Sequence, residues 1–202
     1  MKILKVSLII VLAMALSVGL FGCGAKETAE SYNVDFTVTH TAEITIKHYG
    51  TITLALAGEV APITVENFVD LAESGFYDGL TFHRIIKDFV LQGGDPEGTG
   101  YGGSNKKIKG EFAANGIENN ISHKRGVISM ARSNDYDSAT SQFFIMHQDR
   151  THLDGGYAAF GVVIEGIEIV DKICTEAEPT DSNGTIPAAS QPVIESIKIK
   201  HK

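Results

Sequence analysis

A chain of 202 residues with 43% apolar and 21% charged residues has room for one domain with a sizeable core, plus an extension. Its formal charge of −8 sets the average surface against nucleic-acid backbones and anionic membrane surfaces, which argues against a nucleic-acid partner.

The first 22 residues read as an export leader rather than as fold. Met1 to Lys5 carries two lysines, Val6 to Leu20 is nearly unbroken apolar sequence, and LFGC ends at Cys23. LFGC resembles the lipobox of bacterial lipoproteins, in which the thiol is lipidated and the chain is cut just before it, so Cys23 is the expected lipid attachment site and mature N-terminus. Phe21 departs from the small residue usual two places before the cysteine, which leaves an uncleaved anchor, or an ordinary cleaved signal with an incidental cysteine, as alternatives. Residues 23–36 read as a flexible tether, because GAKETAESYNV after Cys23 is small, polar and poor in apolar residues. The folded domain is expected over 37–202. Cys174 is the only other cysteine and sits in the apolar pattern IEIVDKICTE, so no disulfide framework is expected.

Two alternating β-branched runs, AEITIK and TITLALAGE, flank Tyr49-Gly50 and predict a hairpin turning there. APITVENFVDLAESG follows with Pro62 suited to a first turn, Val65, Phe68, Val69 and Ala72 at helical spacing, and Gly75 as a stop. Short strand-like runs come next: LTFHRII, FVLQGG, GVISMA, SQFFIMH and AAFGVVI. A second helical pattern, EGIEIVDKI, precedes a last strand, VIESIKIK. So many strands with only two helices predict a mainly antiparallel barrel or sandwich.

Gly98, Gly100 and Gly103 match G-x-G-x-x-G, but SNKKIKGEF follows where a phosphate-binding helix would have to start, so this is a surface loop. His147 and His152 fit a metal pair by spacing alone, yet the segment between them reads as a turn and no glutamate follows His147; hydrogen-bonded or surface histidines are the simpler reading. No serine lies in G-x-S-x-G, and no metal or cofactor is implied. What stands out is Arg84 within an apolar run, together with Phe82, Phe89, Gln92, Met130, Gln142, Phe143, Phe144 and Leu153. Taken alone, Arg84 reads as structurally paired. In a hairpin turning at Lys87-Asp88 with one bulged residue, it would face Gln92.

FHRIIKDFVLQGGD, RGVISMAR, SQFFI and HLDGGYAAFG, in this order and spacing, resemble the cyclophilin-type peptidyl-prolyl isomerases from about Ala42 to the last strand. The resemblance implies a closed eight-stranded antiparallel barrel capped by two helices. It also implies isomerisation of X-Pro bonds in proline-containing unfolded polypeptides by a monomer; the leader and LFGC add the expectation of exported polypeptides as substrates and of a place at the extracytoplasmic face of a bacterial membrane. Arg84, Phe89 and Gln92 are its implied catalytic residues. Substrate contacts fall to His83, Val90, Ala131, Arg132, Ser133, Gln142, Phe144, His152, Leu153 and Tyr157. Arg132 stands where many eukaryotic relatives carry asparagine, His152 where cyclosporin-sensitive members carry tryptophan, and Tyr157 where a pocket histidine is usual. A noncatalytic peptide-binding or chaperone module on the same barrel is the alternative.

Overall fold

The computed structural model describes residues 34–202; the leader, Cys23 and most of the tether lie outside the described residues. Eight strands and two helices follow in the expected order: β1 (His40–Ile46), β2 (Gly50–Leu56), α1 (Pro62–Glu73), β3 (Arg84–Ile86), β4 (Val90–Gly93), β5 (Val127–Met130), β6 (Phe143–Met146), β7 (Ala159–Glu165), α2 (Ile167–Glu176) and β8 (Ile194–His201). They form one antiparallel sheet in the order β3-β4-β6-β5-β7-β2-β1-β8.

The closure differs from a continuous barrel ladder. β3 and β8 end the strand order, and the curled sheet is joined across this seam by the segment before β3. Thr81 bridges both Val193 and Asp95, and the amides of Phe82 and Ile194 bond to the carbonyls of Pro192 and Leu80. The first hairpin also turns earlier than the sequence suggests. His48 takes the left-handed conformation (φ 68°), Tyr49 N–H bonds to Ile46, and Gly50 already pairs in β2. The β3–β4 hairpin repeats this geometry with Asp88 at φ 63° and Phe89 N–H on Ile86, a three-residue connection that pairs Arg84 with Gln92 as the bulged turn required.

Helix α1 begins at Pro62 without a side-chain cap from its own flank. The buried Glu111 carboxylate, 47 residues on, takes the free amides of Ile63 (3.0 Å) and Thr64 (2.8 Å) and the Thr64 hydroxyl (2.7 Å). A negative charge here satisfies orphan N–H groups and complements the helix dipole. The helix buries Val65, Phe68, Val69 and Ala72 and packs on β8, while α2 buries Val170, Ile173 and Cys174 and packs on β2 and β4. Burial pushes the Cys174 thiol up to about 12, so it is a packed apolar group rather than a reactive one.

The main core fills the inside of the sheet with Ile44, Leu54, Phe68, Leu91, Phe143, Ile145 and Phe160 among others. A second, smaller apolar cluster covers the opposite face of β4, β6, β5 and β7: Val90, Val127, Phe144, Met146 and Ala159, packed with Phe89, Ala131, Leu153 and Tyr157. Because successive strand residues point to opposite faces, Phe143 belongs to the first cluster and Phe144 to the second. With both faces covered, β5 and β6 are buried at every position.

Candidate active site

Register lays a row of side chains across the outer face of the sheet. Arg84 pairs with Gln92, Gln92 with Phe144, Phe144 with Ser129, and Ser129 with Ala159, so four strands and the start of a fifth contribute one residue each to a single line. Phe89 at the hairpin tip, Ala131 and Arg132 after β5, and Leu153 and Tyr157 from the loop before β7 surround that row. With Arg84, Val90, Gln92 and Phe144 they line a cavity of about 150 Å³. Apart from the two guanidinium groups and one amide, its walls are aliphatic and aromatic.

Arg84 is held before any ligand arrives. Its Nε donates to the Asn183 carbonyl (2.8 Å) and Nη1 donates to Gln92 Oε1 (2.9 Å), while its Cζ lies 5.7 Å from the Phe89 ring centroid. The chain of amides continues behind it. Gln92 Nε2 donates to Gln142 Oε1 (3.0 Å), and Gln142 Nε2 donates to the carbonyls of Gly100 (3.1 Å) and Gly102 (2.7 Å). Each amide is thereby oriented, with the oxygen of Gln92 turned to Arg84. Burial lowers the Arg84 pKa from its ordinary value, while Tyr157 and Asp181 act in the other direction; a guanidinium nevertheless stays charged at neutral pH. Two of its five N–H groups are used, leaving donors for a ligand.

The glycine-rich segment is the end of this relay and not a phosphate cradle. Its amides close on the chain's own carboxylate: Asp95 accepts from Glu97 N (2.8 Å), Thr99 N (2.9 Å) and Gly100 N (2.6 Å). Burial alone would raise this carboxyl, but the backbone donors outweigh it and hold the pKa below the usual range. A Cβ on Gly102 would stand 2.1 Å from Asp95 Oδ1, which explains a glycine there.

A second polar group supports the opposite wall. The buried His123 ring stacks on Phe144 (centroids 6.1 Å, 22° between planes); its Nδ1 lies 2.9 Å from Asp154 Oδ1 and its Nε2 3.1 Å from Ser129 Oγ. Asp154 also accepts from His123 N and Ser122 Oγ. Burial lowers the His123 pKa despite the nearby carboxylate, so the neutral ring donates from Nδ1 to Asp154 and accepts from Ser129 at Nε2. Serine, histidine and aspartate in this order resemble a hydrolytic triad, but Ser129 has no exposed surface, so no substrate carbonyl can reach it. The group is a brace.

Four of the expected contact residues lie outside the cavity lining. Gln142 acts from behind Gln92, and Ser133 accepts from Arg132 Nη1 and takes its own N–H to Ser138. His152 is exposed on the short 3₁₀ turn Thr151–Leu153, beside the pocket but not in its wall. His83 lies in a neighbouring cavity of about 480 Å³ that shares Arg84 and Gln92. Of the metal candidates, His147 is engaged structurally: Nδ1 accepts from Asp88 N (2.8 Å) and Nε2 lies 3.2 Å from Asp171. A larger cavity, about 780 Å³ near Val34–Phe36 and Glu118–Arg125, has none of this convergence of fixed donor and apolar walls. Sequence reasoning missed His123, Asp154, Asn183 and Arg150, whose guanidinium lies 6.0 Å from the Phe89 ring. Only Arg150 carried a signal, as one of four arginines in an acidic chain.

Comparison with known proteins shows what the sequence and the fold are similar to. The family described as cyclophilin type peptidyl-prolyl cis-trans isomerase/CLD matches residues 41–201. A peptidyl-prolyl cis-trans isomerase of Helicobacter pylori is 49% identical over 136 residues, 66% of this chain and 80% of its own length. Peptidyl-prolyl cis-trans isomerase A of Dickeya dadantii is 44% identical over 161 residues, 76% of this chain and 81% of its own. The crystal structure of a Cryptosporidium parvum cyclophilin-type isomerase superposes with a TM-score of 0.71 at 29% identity, covering 81% of this chain and 99% of that one; the same protein has also been crystallised in the presence of the dipeptide Ala-Pro.

Proposed function

The chain belongs to the cyclophilin-type peptidyl-prolyl cis-trans isomerases, and from that premise we propose that Arg84 is its catalytic residue and that it serves exported polypeptides from a lipid anchor at Cys23. The observation that carries the catalytic part is the fixed guanidinium at the edge of an apolar cavity of proline-ring dimensions. The Ala-Pro dipeptide present with the Cryptosporidium relative supports the same ligand class here.

An X-Pro bond turns slowly because amide resonance is lost at the transition state, a barrier of about 18–20 kcal/mol. No bond is made or broken, so neither nucleophile nor general base is required. The catalyst has only to bind the twisted amide better than either planar isomer. In the proposed mechanism Phe89, Val90, Phe144 and Leu153 hold the ring while the preceding carbonyl rotates. As the prolyl nitrogen pyramidalises, its lone pair becomes an acceptor that Arg84 meets with a free N–H. Gln92 keeps the guanidinium from following the substrate. The test is exchange spectroscopy by NMR on a short X-Pro peptide: exchange no faster than without protein would return the chain to the peptide-binding alternative.

The place of action rests on the leader pattern and the LFGC tetrapeptide. Among the described residues no helix is long and apolar enough to cross a membrane, so attachment would fall to the N-terminal region. Cys23→Ser should abolish lipid labelling and release the protein from the membrane fraction. Membrane association without label would identify an uncleaved anchor, and labelling of the variant would refute the lipobox.

A further inference from the structure

We propose that the pocket selects substrates with a carboxylate side chain next to the proline, and that Arg132 and Arg150 are the residues that determine this preference. The inference rests on the reading of the Arg84 cavity as the proline site. The chain has a net charge of −8 and only four arginines. Three of them stand around this one cavity: Arg84 and Arg132 line it, and Arg150 lies against Phe89, which lines it too. The fourth, Arg125, is paired with Asp171 at 2.7 Å.

None of the three has a carboxylate within ion-pair distance among the described residues. They are fixed by carbonyl oxygens instead, which orient a guanidinium without cancelling its charge. Arg84 donates to Asn183. Arg132 donates to Gly156 through Nε (3.0 Å) and Nη2 (2.7 Å) and to Ser133 through Nη1 (2.8 Å). Arg150 donates to the carbonyls of Asp149 (2.8 Å) and Asp88. Arg132 is further enclosed by aromatic rings, its Cζ lying 5.1 Å from Phe112, 4.9 Å from Tyr136 and 4.6 Å from Tyr157. Those contacts hold the side chain in one geometry before a ligand arrives, so little further rotamer entropy is lost on binding.

The carboxylates on neighbouring segments have their hydrogen bonds elsewhere, and only Asp181 acts on Arg84, through space and beyond ion-pair distance. Asp181 accepts from Thr185, Asp149 from Arg125 N, and Asp154 from His123 and Ser122. Asp88, largely exposed, lies 3.9 Å from His147. Among the described residues no acidic side chain lines the cavity. An acidic molecule thus presents a local positive collar with unused N–H donors. Arg132 stands at the Ala131 side and Arg150 at the Phe89 side, so a carboxylate on either flank of the proline meets one of them.

The test uses the full chain and blocked peptides with Glu, Gln or Lys immediately before or immediately after proline. NMR gives both catalysed exchange and the dissociation constant, at 0.02 and 0.5 M NaCl. At low salt the Glu peptides should bind and exchange about fivefold better than Gln, and Lys about fivefold worse, the upper range for solvent-facing ion pairs. The spread should shrink to about twofold at high salt and in Arg132→Gln/Arg150→Gln. Equal values for all three peptides in the unaltered protein, or a spread that neither salt nor the double variant reduces, would overturn the proposal. Should the double variant fail to fold, the salt series on the unaltered chain decides. The two readings fail separately: a Glu preference in binding without accelerated exchange removes the isomerase mechanism and keeps the collar, while accelerated exchange with equal affinities does the reverse.

Discussion

Replacing Arg84 with lysine separates charge from geometry. The arginine makes two bonds at once, to the Asn183 carbonyl and to Gln92 Oε1, and still has N–H groups to offer the cavity. A lysine ammonium is a single point on a flexible stem and cannot span both acceptors while facing the substrate. Loss of one preorganised donor at a developing acceptor costs about 3–4 kcal/mol, so exchange of a bound X-Pro peptide should slow by about a hundredfold to a thousandfold. The structural cost is smaller. One charge-assisted bond lost from a half-buried side chain is worth about 1.5–3 kcal/mol, or a drop in Tm of roughly 3–12 °C for a domain of this size. The assay is NMR exchange, which needs no coupling protease, beside circular dichroism and thermal melts of both proteins. Peptide affinity, set mostly by the ring pocket, should change by less than about tenfold, because most of the apolar contact area is untouched. A well-folded Arg84→Lys protein with full activity would refute the requirement for a planar, doubly anchored donor.

Further outcomes follow from groups outside the cavity. Glu111→Gln should lower stability by about 1–3 kcal/mol, read from the urea midpoint, since a neutral amide cannot replace a carboxylate that accepts three hydrogen bonds at the start of α1. His83 and His123 both have pKa values lowered by burial. The unfolded chain therefore takes up protons near pH 6.5 while the fold resists them, so this stability is complete above about pH 6.5 and is lost as pH falls toward the folded values. Urea titrations between pH 4.5 and 7.5 should show that slope, and His123→Asn should reduce it. Activity should stay nearly flat from about pH 6.5 to 8 and be unaffected by EDTA, because the proposed step uses neither a titrating base nor a metal; a bell-shaped profile would contradict it. Gly102→Ala should displace the loop around Asp95 and lower activity through Gln142, with an unchanged exchange rate counting against the amide relay.

Period and turn chemistry determined much of this protein from sequence alone. Alternating β-branched runs marked the strands, Pro62 and Gly75 bounded the first helix, and the lack of a helix after Gly103 removed the nucleotide reading. The Arg84–Gln92 pairing was legible on the condition of one bulged residue in the turn, and the structure supplies that residue. Tertiary structure decided what no local window contains. Phe143 and Phe144 are adjacent and alike, and only the stacking of β6 between β4 and β5 assigns one to the core and the other to the cavity. Glu111 caps a helix 47 residues upstream, Asp154 reaches back to His123, and Thr81 joins the sheet's two ends through Val193 and Asp95. Interactions within a hairpin or helix turn leave a periodic trace because chain geometry fixes their spacing. A bond between distant segments depends on how whole elements pack, and its residues carry no spacing by which to be found.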